Sequence, residues 1–193
     1  MSKQIKDFKL TTLLESHNRW LSNEKSGRRA NLEDHNLSNE NFEYKNFIGA
    51  MLNRCVFNKT NFIGCDLNNV SMQEAEIDNC DFNATDISRA NLRGTEVIDS
   101  SFTKVRAIKT NASYTEIHNT DMDFMECIEV DFSYSLIKNC DIFKTTFTKC
   151  NFTGAKLELI KHVADAVFDD CINLPPISEE VTITGDMITL NGE

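Results

Sequence analysis

The sequence predicts an all-β solenoid, and three observations predict it. From Leu32 to Leu157 every fifth residue is apolar, at all 26 positions and with a large side chain at 23, in a chain that is only 40% hydrophobic. Two residues before each of these centres, from Ala30 to Ala155, 22 of 26 positions hold Ala, Cys, Ser, Thr or Val. The rhythm runs without insertion or skip, and neither helix nor strand has a period of five. The segment is therefore an internal repeat whose units bury their apolar faces by stacking.

Residues 1–29 read as a helical cap over the first unit. Leu10, Leu13, Leu14, His17 and Leu21 share one face at helical spacing, with Trp20 beside them and Ser26-Gly27 as the expected stop. A terminal solenoid unit has no outer neighbour, so a covering element is needed there. His35, Glu40 and Lys45 break the small-residue rule in the first turns, where enclosure is not yet complete.

The repeat spans residues 30–174 in this reading. Its units include Ala30-Asn31-Leu32-Glu33-Asp34, Thr60-Asn61-Phe62-Ile63-Gly64, Ala90-Asn91-Leu92-Arg93-Gly94 and Cys150-Asn151-Phe152-Thr153-Gly154. The pattern resembles the pentapeptide repeat family, whose unit is A(D/N)LXX. The lead-in of Trp20-Leu21 followed by Gly27-Arg28-Arg29-Ala30-Asn31-Leu32 is similar to that of its small stand-alone members. The resemblance implies a right-handed quadrilateral β-helix with four pentapeptides per coil.

Phased by twenty, Phe42, Phe62, Phe82, Phe102, Met122 and Ile142 stack on one wall. Leu37, Phe57, Ile77, Val97, Ile117, Ile137 and Leu157 are read as the opposite wall. Six to seven coils at roughly 4.8 Å spacing make a rod roughly 30 Å long. Ala107 and Ala112 are consecutive small centres with Cys127 one coil above, a level expected to be thin or filled by Met125 rather than to hold a ligand.

After Leu157 the rhythm fails. A turn or short helix is expected over 158–165, then a slipped register through Ala166-Val167-Phe168 and Ile172-Asn173-Leu174. Pro175-Pro176, the only prolines, open a tail over 175–193. There Val181, Ile183, Ile188 and Leu190 alternate around Gly185-Asp186, a β-hairpin signal.

Little in the chain points to chemistry. Six cysteines fall on inward positions (Cys55, Cys65, Cys80, Cys140 and Cys150 at small positions, Cys127 at a centre), and no two of the six are twenty apart. They read as small buried apolar residues. The four histidines have no triad or metal-ligand spacing, and no Gly-rich phosphate loop is present. The expectation is a non-enzyme with no metal and no cofactor. The absence of a CxxC pair, of a signal peptide and of an apolar run of membrane length points to a cytoplasmic protein.

The formal net charge is −10. Residues 1–29 hold seven basic against three acidic residues (+4), residues 30–174 hold 13 against 23 (−10), and the tail adds −4. Such a chain is not expected to bind nucleic acid directly, because phosphate contacts need Lys and Arg. Phasing puts Glu76, Asp78, Glu96, Asp99 and Glu116 on one outward face. These five carboxylates lie along roughly 10–14 Å, comparable with the charge on one DNA strand, one per about 3.4 Å. Asp121, Asp123, Glu126 and Glu129 continue the acidity round the corners. A second feature is apolar: Ile108 over Ile128, with Phe124 and Phe143 near one corner, and Tyr114 over Tyr134 elsewhere. It is the candidate surface for a homodimer or a docking partner.

The family resemblance implies a function as well. Some members bind DNA gyrase or topoisomerase IV as rod-shaped acidic mimics of duplex DNA, and protect against quinolones or related toxins. Those members carry projecting loops or a C-terminal dimerisation helix, and this register has neither. The leading expectation is an acidic rod that binds a DNA-handling enzyme, such as a type II topoisomerase or a host defence nuclease. The alternative is a structural or assembly scaffold that docks proteins through flat faces or ends, with its acidity serving solubility.

Overall fold

The computed structural model describes residues 3–4 and 7–179. Strand β1 (Lys3–Gln4) is followed by helix α1 (Asp7–Leu21). The helix stops earlier than Ser26-Gly27. Asn23 takes the left-handed conformation (φ 57), and Glu24 N–H donates back to Arg19 C=O at 2.9 Å. This is a Schellman-type end in which Asn serves in place of Gly. Leu10 and His17 are buried against the first coil and Leu13 and Leu14 pack on the same core, so the helix roofs the solenoid.

From Ala30 onward each coil consumes twenty residues and has four sides. The first side carries centres Leu32 to Phe152, the second Leu37 to Leu157, the third Phe42 to Ile142 and the fourth Phe47 to Phe147. On the second side β2 (His35–Asn36), β3 (Val56–Asn58), β4 (Glu76–Asp78), β5 (Glu96–Ile98), β7 (Glu116–His118), β9 (Leu136–Lys138), β11 (Lys156–Ile160) and β13 (Ile177–Glu179) join β1 in a nine-stranded parallel sheet. On the fourth side β6 (Arg106–Ile108), β8 (Glu126–Ile128), β10 (Thr146–Thr148) and β12 (Val167–Asp169) form a four-stranded one. The Leu37 and Phe42 columns are consequently neighbouring walls, not opposite ones, because five residues advance the chain by one side.

Local chemistry at one position selects the form of each side. The residue before a centre is Asn or Asp at 14 places. At every one its side-chain oxygen accepts the N–H two residues on, as in Asn61 to Ile63 (2.8 Å) and Asp81 to Asn83 (2.9 Å). This Asx bond closes a tight turn and shortens the side. Where the position holds Val, Glu, Arg, Leu, Thr or Lys between 31 and 156, no such bond forms and the side extends into a three- to five-residue strand. Met51, Ser71 and Ser101 are the exceptions, turns without the Asx bond. The next corner is made two residues after each centre, where φ is positive at every position from Asp34 to Leu159 although only Gly49, Gly64, Gly94 and Gly154 are glycine.

All 26 centres are buried. Phe62, Phe82 and Phe102 form a ring stack with centroids 4.6 Å apart, and Phe42 joins its end at 5.3 Å, tilted by 42°. The small inward positions do more than fill space. Thr60 and Thr85 donate to Leu37 and Phe62 C=O at 2.9 and 2.7 Å, and Cys55 and Cys65 thiols reach Leu32 and Phe42 C=O at 2.9 and 2.8 Å. A small side chain with one donor thus serves a buried carbonyl one coil below, which explains the Thr and Cys usage.

Ala107 and Ala112 leave a cavity of about 40 Å³, walled by apolar surface. Met125 leans in without filling it. The bordering centres Leu92, Phe102 and Ile117 keep 8, 8 and 9% of their surface accessible. Thr95, Thr110, Thr115 and Thr120 line the space with methyl groups, since their hydroxyls donate to carbonyls at 2.8 Å.

At the C-terminal end a 3₁₀ turn (Val163–Asp165) inserts one residue. Strand β12 then pairs with β10 at a spacing of 21, Phe147 against Phe168, with rings stacked at 4.8 Å. Past Pro175-Pro176 the chain returns to the second side, where Ile177 pairs with Leu157. The expected hairpin at 181–190 lies outside the described residues.

Candidate protein-binding surfaces

Glu76, Glu96 and Glu116 are register partners on β4, β5 and β7 and form one exposed column on the second side. Parallel pairing puts successive carboxylates about one strand spacing apart, roughly 4.8 Å. Asp78 and Asp99 flank the column but are engaged. Asp78 accepts from Asn58 and from Asn79, and Asp99 from Asn119 at 2.9 Å. Glu116 has His118 beside it at 3.7 Å. Among the described residues no hydrogen bond or ion pair reaches the carboxylates of Glu76 and Glu96.

Most of the other acids are used by the fold. Asp66, Asp81, Asp86, Asp121, Asp131 and Asp141 each hold an Asx turn. Arg106 lies between Asp86 (3.3 Å) and Glu126 (3.2 Å), and Lys109 pairs with Glu129 at 3.6 Å. The glutamate column differs because Glu at the position before a centre is too long to close the turn and has no cation over it. Three like charges in register are mutually unfavourable.

The apolar candidates separate into two groups. Ile108 and Ile128 are register partners on β6 and β8, both half-buried, on the side across the rod from the glutamates. Phe124 and Phe143 meet at the corner between the third and fourth sides with ring centroids 5.5 Å apart, edge to face. Lys144 Nζ lies 4.9 Å from the Phe143 ring and 5.9 Å from Phe124, and His162 packs on Phe143 at 5.5 Å. Phe124 is 43% exposed and occupies a left-handed corner (φ 55).

Beneath that corner lies a titratable chain. His162 Nδ1 is 2.7 Å from Asp141 Oδ1, and Asp141 shares a hydrogen bond with Asp123. Burial, with the neighbouring carboxylates, pushes Asp123 up to about 6. Burial also opposes ionisation of Asp141, but the hydrogen bonds from His162 and Asp123 outweigh it and hold Asp141 below its ordinary value. The same bond raises His162.

The exposed tyrosines have a structural use that spacing alone did not reveal. Tyr44 lies over Gly64 and Tyr134 over Gly154, so close that a Cβ on either glycine would come within 2.4 and 2.7 Å of the ring. Tyr134 also stacks on Tyr114 (5.1 Å), whose other face takes the Arg93 guanidinium at 4.3 Å. Tyr44 and Tyr134 each shield the turn one coil above, and the signal was a Gly twenty residues after each.

The buried thiols are disfavoured as thiolates: burial pushes Cys55 and Cys150 up to about 12 and Cys65 and Cys140 to about 11. Among the described residues, no group of three or more His, Cys, Asp or Glu is placed to hold a metal ion, and no helix is long and apolar enough to cross a membrane.

No curated protein matches the chain. Among solved structures it is similar to HetL, a pentapeptide repeat protein involved in heterocyst differentiation regulation from the cyanobacterium Nostoc sp. strain PCC 7120. That match has 18% identity over 80% of this chain and 76% of the other, at a TM-score of 0.41. It is similar to Rfr23 from the cyanobacterium Cyanothece 51142 at 15% identity, covering 66% and 90%, TM-score 0.43. It is also similar to full-length QnrB1, a plasmid-mediated fluoroquinolone resistance protein, at 14% identity, covering 79% and 91%, TM-score 0.33. Residues 46–83 match the Pentapeptide repeats (8 copies) family. Over that segment the chain carries pentapeptide repeats, and the same five-residue unit continues in register on both sides of it and builds four-sided coils.

Proposed function

We propose that this protein is a non-enzymatic acidic rod that binds a DNA-handling enzyme in the cytoplasm by presenting its glutamate column in place of a phosphate backbone. The observation that carries the reading is the in-register stack Glu76–Glu96–Glu116, in which two carboxylates have no internal partner among the described residues while most other acids on the solenoid serve a turn, an ion pair or a hydrogen bond. A surface needed only for solubility gains nothing from aligning like charges, and alignment costs roughly 0.2–1 kcal/mol per pair. With Asp78 and Asp99 the column carries about one charge per 3 Å, near the 3.4 Å of a DNA strand. Buried, protonated thiols fit a reducing compartment.

The test uses purified type II topoisomerase and, separately, a host defence nuclease. Binding is measured across a salt series, with duplex DNA as competitor. Glu76→Lys, Glu96→Lys and Glu116→Lys combined should weaken binding at least tenfold and abolish DNA competition. Unchanged binding by the triple variant would end the mimicry reading. The scaffold reading rests on Phe124 and Phe143, and predicts instead that Phe124→Ser with Phe143→Ser removes binding while salt has little effect.

A further inference from the structure

One pair among the seven cysteines is stacked directly, and the regular twenty-residue period conceals it. The one-residue insertion near Val163–Asp165 brings Asn151 opposite Ile172 as parallel partners, with Ile172 N–H donating to Cys150 C=O at 2.8 Å. Cys150 and Cys171 therefore occupy the same inward column on successive coils. Both thiols point inward: Cys150 Sγ reaches Cys127 C=O at 3.5 Å and Cys171 Sγ reaches Phe147 C=O at 3.2 Å. The two side chains are near enough that Cys171 adds to the upward push that burial gives the Cys150 thiol. Cys127 lies near both thiols but belongs to a different column, as a centre between Ala107 and Phe147, and the other four cysteines have no cysteine above or below them. Cys55 lies between His35 and Ala75, Cys65 between Lys45 and Thr85, Cys80 between Thr60 and Ser100, and Cys140 between Thr120 and Ile160.

We infer that Cys150 and Cys171 form a disulfide that staples the last coil to the one below it when the protein meets a low-molecular-weight disulfide. Parallel partners stand at the strand spacing of roughly 4.8 Å, inside the 4.4–6.8 Å range of Cα separations found in disulfides. Their Cβ atoms must approach by roughly 1 Å. The last coil can supply that shift, because at β12 and Ile172 it has a neighbour on one side only among the described residues. Access is also graded in the required order, with Cys171 half-buried and Cys150 fully buried.

The Cys171 thiolate attacks one sulfur of the small disulfide, forming a mixed disulfide and releasing one small thiol. The Cys150 thiolate then attacks the Cys171 sulfur, forming the protein disulfide and releasing the second small thiol. Two protein thiols are oxidised, the reagent disulfide is reduced, and the two protons end on the released thiols. The S–H donations to Cys127 and Phe147 carbonyls are given up. Burial holds both thiols above their ordinary pKa, so the reaction is slow at neutral pH and faster in mild alkali.

The experiment treats the full chain with oxidised glutathione at about pH 7 and at about pH 8.5, followed by intact mass and a non-reducing peptide map. The expected product loses about 2 Da, carries no glutathione, and joins the peptides of Cys150 and Cys171. Cys150→Ser should stop at one glutathione on Cys171, and Cys171→Ser should not react. Serine is tolerated in this column, which elsewhere holds Ala, Val and Thr. In the oxidised protein the Ile172 amide should exchange at least about tenfold more slowly than in the reduced one. A wild-type product that retains glutathione, links Cys171 to any other cysteine or to a second chain, or shows no reaction at either pH overturns the inference.

Discussion

At the amino-terminal end the first coil is roofed by α1, and a histidine lies inside the joint. His17 is fully buried, stacks on Trp20 at 5.4 Å, and accepts the Ala30 N–H on Nδ1 at 3.0 Å. At the other end, His162 is exposed at a left-handed turn just where the register slips, and its Nδ1 faces Asp141. Burial first, and then the charge of Arg29, push His17 down, whereas Asp141 raises His162. One end thus depends on a neutral acceptor in a dry joint, the other on a cation at a wet corner. In a solenoid each coil touches only its neighbours, so the ends are free to differ in this way.

Removing the buried histidine is the largest expected break in that contrast. His17→Ala deletes the acceptor for the Ala30 N–H and opens a hole beneath Trp20, at a cost of about 2–4 kcal/mol. Denaturant unfolding together with amide exchange should show the loss concentrated at residues 10–52. Equal loosening near Ile172 would mean the ends are coupled.

A smaller effect compares two glycine corners of nearly equal φ, Gly49 at +68° near the cap and Gly154 at +69° near the far end. An alanine at either is strained by about 1 kcal/mol. At Gly49 the new methyl would sit 3.7 Å from Trp20, in ordinary contact, whereas at Gly154 it would press on Tyr134 at 2.7 Å. Gly154→Ala should therefore be the more destabilising in thermal unfolding, and equal costs would show that the tyrosine swings away freely.

The smallest and most diagnostic test is pH. His17 has a lowered folded pKa, so its contribution is complete above 6.5 and is lost as pH falls through the lowered value. His162 is raised, so its contribution is complete below 6.5 and is lost as pH rises through the raised value. Asp123, raised to about 6, contributes fully below 3.8 and loses that contribution as pH rises through about 6. Asp141 is lowered, and its contribution changes only in stronger acid, below 3.8. Between pH 5 and 8 the cap should tighten while the far corner loosens, in exchange rates corrected for intrinsic chemistry. Movement of both ends in the same direction would contradict these assignments.

Much of the fold was legible because the period is a packing rule written directly in side chains: large every fifth residue, small two before it. The turn-or-strand choice was also present, in Asn and Asp against Glu and Val before each centre, though its meaning depends on a hydrogen bond that composition does not display. The glutamate column could be phased from a constant twenty-residue spacing. Cys171 over Cys150 could not, since one inserted residue after Leu157 changes the spacing to 21. The helix end at Asn23 was missed because Ser26-Gly27 is the stronger conventional stop, while Asn23 serves through its tolerance of positive φ.

By itself the sequence determined the all-β solenoid, the inward and outward assignment of the residues from Ala30 to Leu157, and the acidity of the rod, because each follows from burial and charge at a fixed local period. Only the tertiary structure decided which acids have partners, which tyrosines shield a turn, how far the Ala107–Ala112 level collapses, and which two thiols meet. Those are distances between successive coils, and a contact across coils depends on every insertion, corner and side-chain direction between the two residues that make it.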